Sequence, residues 1–168
     1  MRTPQANSRS CFVCGLSNSF GLKIRFYSTG DDEVTAEYTV PEQYQGYPGV
    51  VHGGIVAAML DEAAGRSLMN GNQPRFMYTA KLEIRYRKNV PVGQPLRLVG
   101  KATKSKSRSA TATSSLYGQD GSLLAEAEAL LIDVPGPVLD GVDLETLGWK
   151  VYEEGTDDPR IPPTANAG

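Results

Sequence analysis

Residues 50–65, VVHGGIVAAMLDEAAG, decide the fold of this chain and give the first indication of its chemistry. The run of small and apolar residues after His52 predicts a helix that begins at Gly53 and Gly54. The first N–H groups of a helix have no partner within it, and glycine leaves them uncrowded, so they suit a developing negative oxygen. This helix start therefore has the features of one half of an acyl-transfer site.

Asp61 is a candidate for the carboxylate that the other half of an acyl-transfer site needs. At helical spacing it shares a side of the helix with Ala57, Ala64 and Leu68, small or apolar residues among which a carboxylate is unusual. Aspartate is a mediocre helix former and gains nothing from the helix dipole in mid-helix, so the position calls for a reason. Room for a substrate beside the carboxylate is one reason. A solvent-boundary aspartate is the alternative, and the helical spacing alone does not separate the two.

The helix is expected to run from about His52 to Met69 and to stop at the terminators of residues 70–74. Glu62 and Arg66, four positions apart on another side of the helix, predict a partly exposed stripe with a weak ion pair.

Alternating polar and apolar residues around the helix predict strands on both sides of it. The segment 122–134 favours helix by its Ala, Leu and Glu content, but the hairpin signal at residues 118–121 favours a strand. The order β-β-α-β-β-β-β indicates an α+β fold with one helix against an antiparallel sheet. Such a sheet has an uncovered face and unpaired edges, so oligomerisation is expected. The predicted strands are 22–28, 33–40, 76–90, 94–107, 108–117 and 122–134.

Composition limits the classes of protein. The 168 residues, 40% hydrophobic, suit one domain, and a net charge of −2 argues against a general nucleic-acid binder. No apolar stretch reaches the ~20 residues of a membrane span, and the N-terminus lacks a signal-peptide core, so a cytoplasmic protein without a membrane partner is expected. We divide the chain into a loose segment 1–10, a domain 11–134 and a Pro/Gly-rich tail 135–168 that packs locally at most.

Cys11 and Cys14 are too few and too close together to staple a domain of this size. A tetrahedral zinc site needs four ligands, so no metal is expected within one chain, although four thiolates from two protomers are an alternative. A redox pair usually lies at a helix start in a βαβ unit, which this sequence lacks. Stabilisation of a tight turn is the favoured interpretation.

The stretch GYPGVVHGGIVAAMLDEAAG, residues 46–65, resembles the signature helix of hotdog-fold acyl-CoA thioesterases of the PaaI-like (phenylacetate-pathway type) group. The similarity continues in the CxxCGxxNxxGL pattern that starts at Cys11, in TAKLEIRYRKNVPVG and in DGSLLAEAEALL, so it spans residues 11–134. It implies a hotdog fold, a long central helix wrapped by a mainly antiparallel sheet. It also implies hydrolysis of an acyl-CoA to a carboxylic acid and CoA, with no cofactor.

The resemblance also implies roles for individual residues. The Gly53 amide would polarise the thioester carbonyl, Asp61 would act as general base or nucleophile, and Thr79 would orient water or substrate. His52, as a neutral imidazole, is expected to fix the approach loop. In the family, the glycine of one protomer meets the carboxylate of another, which implies a homodimer or a homotetramer. The spacing agrees, because nine residues of helix span ~13 Å.

The strand alternation places Thr79 with Lys81 and Glu83, away from Leu82 and Ile84. A structural threonine is the alternative interpretation, since strand threonines are common.

Substrate contacts are expected from the helix start, from the preceding loop and from two basic clusters. Some relatives carry Asn or Gln six residues before His52, where this chain has Gly46, and Gln45 is the preferred substitute. Coenzyme A is anionic, so basic side chains would hold it, although an ordinary solvated strand face is an equal alternative. The predicted contacts are Gly54, Gln45, Arg87, Lys88, Ser107 and Arg108.

Two other functions are considered. A non-catalytic module that binds acyl-CoA or a lipid ligand would keep the same fold. A hotdog dehydratase is disfavoured, because it needs an Asp and a His close together and the only histidine, His52, lies at the helix start.

Overall fold

One long helix, α1 (Gly53–Arg66), packs against an antiparallel sheet in the computed structural model, which describes residues 2–30, 32–70 and 75–152. Within these residues the sheet has seven strands in the order β1-β2-β3-β5-β6-β7-β4, and every neighbouring pair is antiparallel. The predicted α+β class is confirmed. The strands are β1 Thr3–Pro4, β2 Tyr27–Ser28, β3 Glu33–Thr39, β4 Met77–Tyr86, β5 Pro95–Ser105, β6 Ser109–Tyr117 and β7 Leu123–Asp133, with a short α2 at Gly136–Leu139.

The core forms where α1 presses its apolar side onto the middle of the sheet. Val56, Met59 and Leu60 are fully or almost fully buried there. Gly100 on β5 is required for this contact, because a Cβ at this position would lie 1.9 Å from the carbonyl oxygen of Ala63. Burial of apolar surface stabilises the layers, and the glycine sets how closely they approach.

Most predicted elements are found, with shorter bounds. Residues 122–134 contain strand β7, as the hairpin signal predicts and against their helix propensity. The predicted strand 22–28 shrinks to Tyr27–Ser28, and Lys23, with a φ of 60°, has a left-handed conformation that breaks the extended backbone near the predicted start. Helix α1 ends at Arg66 rather than Met69, and the terminators at residues 71–74 lie outside the described residues.

The two ends of the chain are less loose than their composition predicts. Asn7 is 2% exposed and donates to the carbonyl oxygens of Cys14 and Ile24, so its polar side chain is satisfied inside the fold. In the tail, Trp149 contacts the ring of Phe76 with 5.3 Å between the ring centroids. The described parts of both ends therefore pack on the domain, whereas residues 1 and 153–168 lie outside the description.

No helix within the described ranges is long and apolar enough to cross a membrane.

Candidate functional site

The start of α1 is held by His52 and by the loop before it. His52 is the N-cap, and its Nδ1 accepts a hydrogen bond from the N–H of Gly54 at 3.0 Å. This hydrogen bond caps the first turn of α1 and orients the imidazole ring. The backbone N–H of His52 donates to the carbonyl of Tyr44 at 2.9 Å, which ties the cap to the loop.

Gly53 has the one amide in this turn that suits an external acceptor. Its N–H has no hydrogen-bond partner among the described residues, whereas the N–H of Gly54 is used by the His52 cap. Gly53 is also exposed. An unpaired N–H at the positive end of a helix binds a developing oxyanion well.

Tyr86 is a site residue that the sequence reasoning missed. Its hydroxyl donates to the carbonyl oxygen of Gly53 at 2.8 Å and so fixes the peptide group next to the free amide. Alternation groups Tyr86 with Leu82 and Ile84, on the side of β4 that turns out to face the helix. The alternation in the sequence therefore predicts which side of β4 Tyr86 lies on, but it does not predict the contact between its hydroxyl and Gly53.

Asp61 and Thr79 meet as a directly hydrogen-bonded pair. The Thr79 hydroxyl donates to Oδ1 of Asp61 at 2.7 Å, across 18 positions of sequence. Asp61 is half-buried and Thr79 is exposed. Among the described residues, the other carboxylate oxygen, Oδ2, has no hydrogen-bond partner. The arrangement orients the carboxylate and leaves one oxygen for water or substrate.

A β-bulge brings Thr79 to this position and corrects the predicted alternation. The register of β4 against β7 shifts between Thr79 and Lys81, so that Thr79 lies opposite Leu131 and Lys81 lies opposite Leu130. Directly opposed residues share a face of the sheet. Leu131 is 1% exposed and Leu130 is 40% exposed, so Thr79 faces the helix and Lys81 faces outward. The expectation that both lie on one face is wrong, because Ala80 is an extra residue in the strand.

The amide and the carboxylate lie far apart within one chain. Gly53 and Asp61 are eight positions apart on one helix, which corresponds to ~12 Å at 1.5 Å per residue. One thioester carbonyl cannot contact both groups of the same helix.

Gln45 is engaged within its own loop. Its Oε1 accepts from the N–H of Gly49 at 3.1 Å, and its backbone forms an isolated bridge to Val51. The side chain therefore shapes the loop before His52.

The predicted coenzyme A contacts fall into two separate groups. Arg87 and Lys88 follow the end of β4 next to the helix start, and Arg87 is ion-paired with Glu126, with its Nε 3.0 Å from Oε1. Ser107 and Arg108 lie in the β5–β6 hairpin, level with the opposite end of β4. Arg87 lies eight positions after Thr79, ~26 Å along the chain at 3.3 Å per residue. One chain therefore does not bring the two groups together.

Arg75 holds that hairpin and was not found from the sequence. It forms an ion pair with Asp133 at 2.6 Å and donates to Ser105 Oγ at 2.8 Å. The Asp133 contact raises the pKa of Arg75 and lowers the pKa of Asp133.

Another face of α1 carries an ion pair that differs from its prediction. Arg66 Nε lies 2.8 Å from Glu62 Oε1, but the Arg66 side chain is 1% exposed. Its guanidinium lies 5.3 Å from the ring centroid of Phe26 and 4.9 Å from that of Trp149. The predicted i,i+4 pair is present and Glu62 is 21% exposed, but the exposure expected for Arg66 is wrong, because the chain ends pack over this part of the helix. Burial, ahead of the other causes, raises the pKa of Glu62 to about 7.

Metal-binding residue types cluster at one place in the described ranges. Cys11, Cys14 and Glu62 each bring one donor atom, and these atoms lie within 4.8 Å of one another. Three donors are one fewer than a tetrahedral zinc site uses, so this arrangement does not make a closed metal centre within one chain.

Comparisons with known proteins agree with the fold. The family model of the thioesterase superfamily matches residues 48–125. A solved thioesterase superfamily protein has a TM-score of 0.68 and 31% identity over 74% of this chain, and the match spans 61% of that protein, less than two thirds of it. Zebra fish thioesterase superfamily member 2 has a TM-score of 0.64 and 20% identity, with 72% of this chain and 92% of that one covered. A Streptococcus mutans protein bound to acetyl CoA has a TM-score of 0.61 and 18% identity, with 66% of this chain and 88% of that one covered. The predicted hotdog fold is confirmed.

Proposed function

We propose that the chain is an acyl-CoA thioesterase of the PaaI-like group within the thioesterase superfamily, whose family model matches residues 48–125. The reaction is hydrolysis of an acyl-CoA thioester to a carboxylic acid and CoA. The observation that carries the proposal is the Asp61–Thr79 hydrogen bond. It lies on the β4 side of α1 together with the Gly53 N–H, which has no hydrogen-bond partner among the described residues.

Each residue has a role in this reaction. The N–H of Gly53 donates to the thioester oxygen as negative charge develops on it, a contribution of roughly 3 kcal/mol to transition-state stabilisation. Asp61, held through Oδ1 by Thr79, uses Oδ2 to take a proton from water, which attacks the carbonyl carbon. CoA thiolate then leaves. In the nucleophilic alternative, Asp61 attacks the carbonyl carbon, the C–S bond breaks as CoA thiolate leaves, and water hydrolyses the resulting anhydride. His52 and Tyr86 hold the amide in place.

Acyl-CoA is the proposed substrate because the chemistry needs only an activated acyl group, an oxyanion donor and a carboxylate. The Streptococcus mutans relative bound to acetyl CoA gives a precedent at the level of the fold. Gly54, Gln45, Arg87, Lys88, Ser107 and Arg108 remain the proposed CoA contacts.

We propose that the working unit is a homodimer or a dimer of dimers. Strand β4 is a ten-residue edge strand, and such an edge favours pairing with a second chain. The strand runs from Thr79, beside Asp61, to Tyr86, beside Gly53. Antiparallel pairing of β4 with its copy across a twofold axis would set the Thr79 end of one chain against the Tyr86 end of the other. The same pairing would bring the two groups of predicted CoA contacts toward one site.

The first experiment measures hydrolysis of an acyl-CoA panel, short, medium, long and aromatic, by wild type and by Asp61→Asn. We expect turnover of at least one acyl-CoA by wild type and a loss of about 10³-fold in Asp61→Asn, the range for removal of a general base. Glu83→Asn is the matched control, because its carboxylate lies on the outer face of β4 and is 63% exposed. Tight binding of acyl-CoA without turnover in either protein would instead indicate the non-catalytic module.

The second experiment tests the shared site with mixed dimers. Gly53→Pro removes the free N–H, and proline is well accepted at the first position of a helix. Co-refolded Asp61→Asn and Gly53→Pro chains would give about a quarter of wild-type activity, because half of the dimers are mixed and each has one intact site. Each variant alone would stay inactive. Absence of any recovery in verified mixed dimers would contradict a site shared between chains.

A further inference from the structure

The N-terminal motif brings two thiols and a carboxylate together on a face of α1 that the proposed hydrolysis does not use. We call Cys11, Cys14, Glu62 and Arg66 the thiol cluster. Both cysteines are free, and their sulfurs lie with a Glu62 oxygen inside a 4.8 Å group. Cys14 is 2% exposed, whereas Cys11 is half-buried and reachable from solvent. A reachable thiol followed by a buried one is the arrangement of an attacking and a resolving cysteine.

The backbone of the motif is arranged to stabilise a thiolate on Cys11. The Cys11 sulfur accepts from the N–H of Val13 at 3.3 Å and from the N–H of Cys14 at 3.5 Å. The turn is closed by the N–H of Gly15, which donates to the Cys11 carbonyl at 2.8 Å. A Cβ on Gly15 would lie 2.2 Å from that carbonyl oxygen, so this turn requires glycine. The turn therefore directs two backbone N–H groups at the Cys11 sulfur, although the sequence predicted only a structural role for it.

We propose that Cys11 and Cys14 form a dithiol that reacts with low-molecular-weight disulfides to give a reversible Cys11–Cys14 disulfide. The acidity of the two thiols agrees with these roles. The hydrogen bond from the Cys14 thiol, ahead of the backbone N–H groups, lowers the pKa of Cys11 to about 7. The same hydrogen bond, with burial, raises the pKa of Cys14 to about 12, so Cys14 stays a thiol until it is needed.

The exchange balances in two steps. The Cys11 thiolate attacks a disulfide RSSR, a bond forms between Cys11 Sγ and one SR group, and RS⁻ leaves. Cys14 then loses its proton to Glu62 and attacks the Cys11 sulfur, which forms the internal disulfide and releases a second RS⁻. The two electrons lost by the dithiol reduce RSSR to two thiols once the protons are returned.

Glu62 can accept this proton because of its surroundings. Burial raises its pKa to about 7, close to neutral pH. Its Oε1 is occupied by Arg66 at 2.8 Å, whereas Oε2 faces the Cys11 sulfur at 3.9 Å. The buried guanidinium of Arg66 also disfavours a cation beside Glu62, so dithiol chemistry fits this cluster better than metal binding.

The test incubates the reduced full-length chain with oxidised glutathione and follows intact mass. Wild type should lose two hydrogens and retain no glutathione. Cys14→Ala should retain one glutathione, because the mixed disulfide at Cys11 has no resolving thiol. Cys11→Ala should react at least about 10-fold more slowly than Cys14→Ala, because the remaining thiol is buried and protonated. Alkylation of the reduced wild type by iodoacetamide, with the modified cysteine located by mass, follows the titration of Cys11, and a shift toward 7 is expected relative to free cysteine. The shift should be smaller in Cys14→Ala, which lacks the thiol that donates to the Cys11 sulfur.

Three outcomes would overturn the proposal. They are failure of wild type to form the internal disulfide, equal reactivity of the two alanine variants, and co-purification of about one zinc per wild-type chain that either substitution removes. The intact mass of wild type alone shows whether the internal disulfide forms. Thermal unfolding checks that both alanine variants are folded. None of these measurements depends on thioester hydrolysis.

Discussion

Asp61 and Glu62 are consecutive carboxylates on one helix, yet their surroundings differ completely. Asp61 faces the Thr79 end of β4. The Thr79 hydroxyl donates to its Oδ1, and its Oδ2 has no hydrogen-bond partner in the described structure. Glu62 turns into the thiol cluster, against a guanidinium that is 1% exposed. One step along a helix rotates a side chain by about 100°, enough to separate a reactive face from a buried one. The comparison predicts that substitutions on the open face change turnover, whereas those on the buried face change stability.

After Asp61→Asn, the largest expected effect is also on the open face, at Gly53. Gly53→Pro should lower kcat/KM by about 10²- to 10³-fold, because it deletes the oxyanion donor. Gly53→Ala keeps the N–H, and its Cβ would lie 3.6 Å from the Tyr86 hydroxyl, an ordinary contact, so it should stay within about 10-fold of wild type. Steady-state kinetics on the best acyl-CoA measure both. Equal activity of the two variants would remove the amide from the mechanism.

On the buried face of α1, Arg66→Met should destabilise the fold. It should lower the free energy of unfolding by about 3 kcal/mol at pH 8, since the partly desolvated Glu62 carboxylate loses its buried cation. The loss should be smaller at pH 5, where the raised pKa of Glu62 keeps that carboxyl protonated. Denaturant unfolding at both pH values measures the effect. Arg97→Met on an exposed position is the control and should cost less than about 1 kcal/mol. A drop in turnover per folded molecule would argue against independent faces.

Glu62→Gln tests the buried face through the pH dependence of stability. The folded-state pKa of Glu62, about 7, lies above its ordinary value of 4.5, so between these values the folded chain holds a proton that the unfolded chain has lost. The free energy of unfolding of wild type should therefore fall as pH rises from about 4.5 to about 7, by an amount of the order of 1 kcal/mol per pH unit. In Glu62→Gln this fall should disappear. Parallel pH profiles for the two proteins would mean that Glu62 titrates normally.

The smallest expected effect is at Thr79. Thr79→Val should lower kcat by about 10-fold, because Asp61 loses the hydroxyl that orients it, with stability unchanged within ~0.5 kcal/mol. Thr79→Ser keeps the hydroxyl and should retain most activity. If Thr79→Val and Thr79→Ser have the same kcat, the hydrogen bond from Thr79 to Asp61 does not contribute to turnover.

The family resemblance, rather than a local pattern, identifies Thr79 as a candidate. The patterns of the sequence itself predict the helix, its glycine start, the central strands and an unusual carboxylate at Asp61. These features depend on local patterns, namely glycine at a helix start, a carboxylate among small residues and period-two alternation. The strand at residues 122–134 shows that a hairpin signal can outweigh helix propensity.

The remaining features depend on contacts between distant segments. Arg66 looks exposed by its spacing, but Trp149 and Phe26 come from opposite ends of the chain to cover it. Asn7 looks like part of a loose polar segment until the carbonyls that it bonds are known. The thiol cluster could not be assembled from the sequence either, because Glu62 lies 51 positions from Cys11.

The bulge at Ala80 has a consequence for changes in chain length. One additional residue reverses the side that every preceding residue of β4 presents, so Thr79 reaches Asp61 only while that count is kept. Deleting Ala80 would turn either Thr79 or the residues after it away from the helix, although no side chain at the site had been substituted. A one-residue insertion or deletion in β4 therefore exchanges the two faces of part of the strand. Variant libraries of this fold need to keep the length of β4 fixed while its side chains are varied.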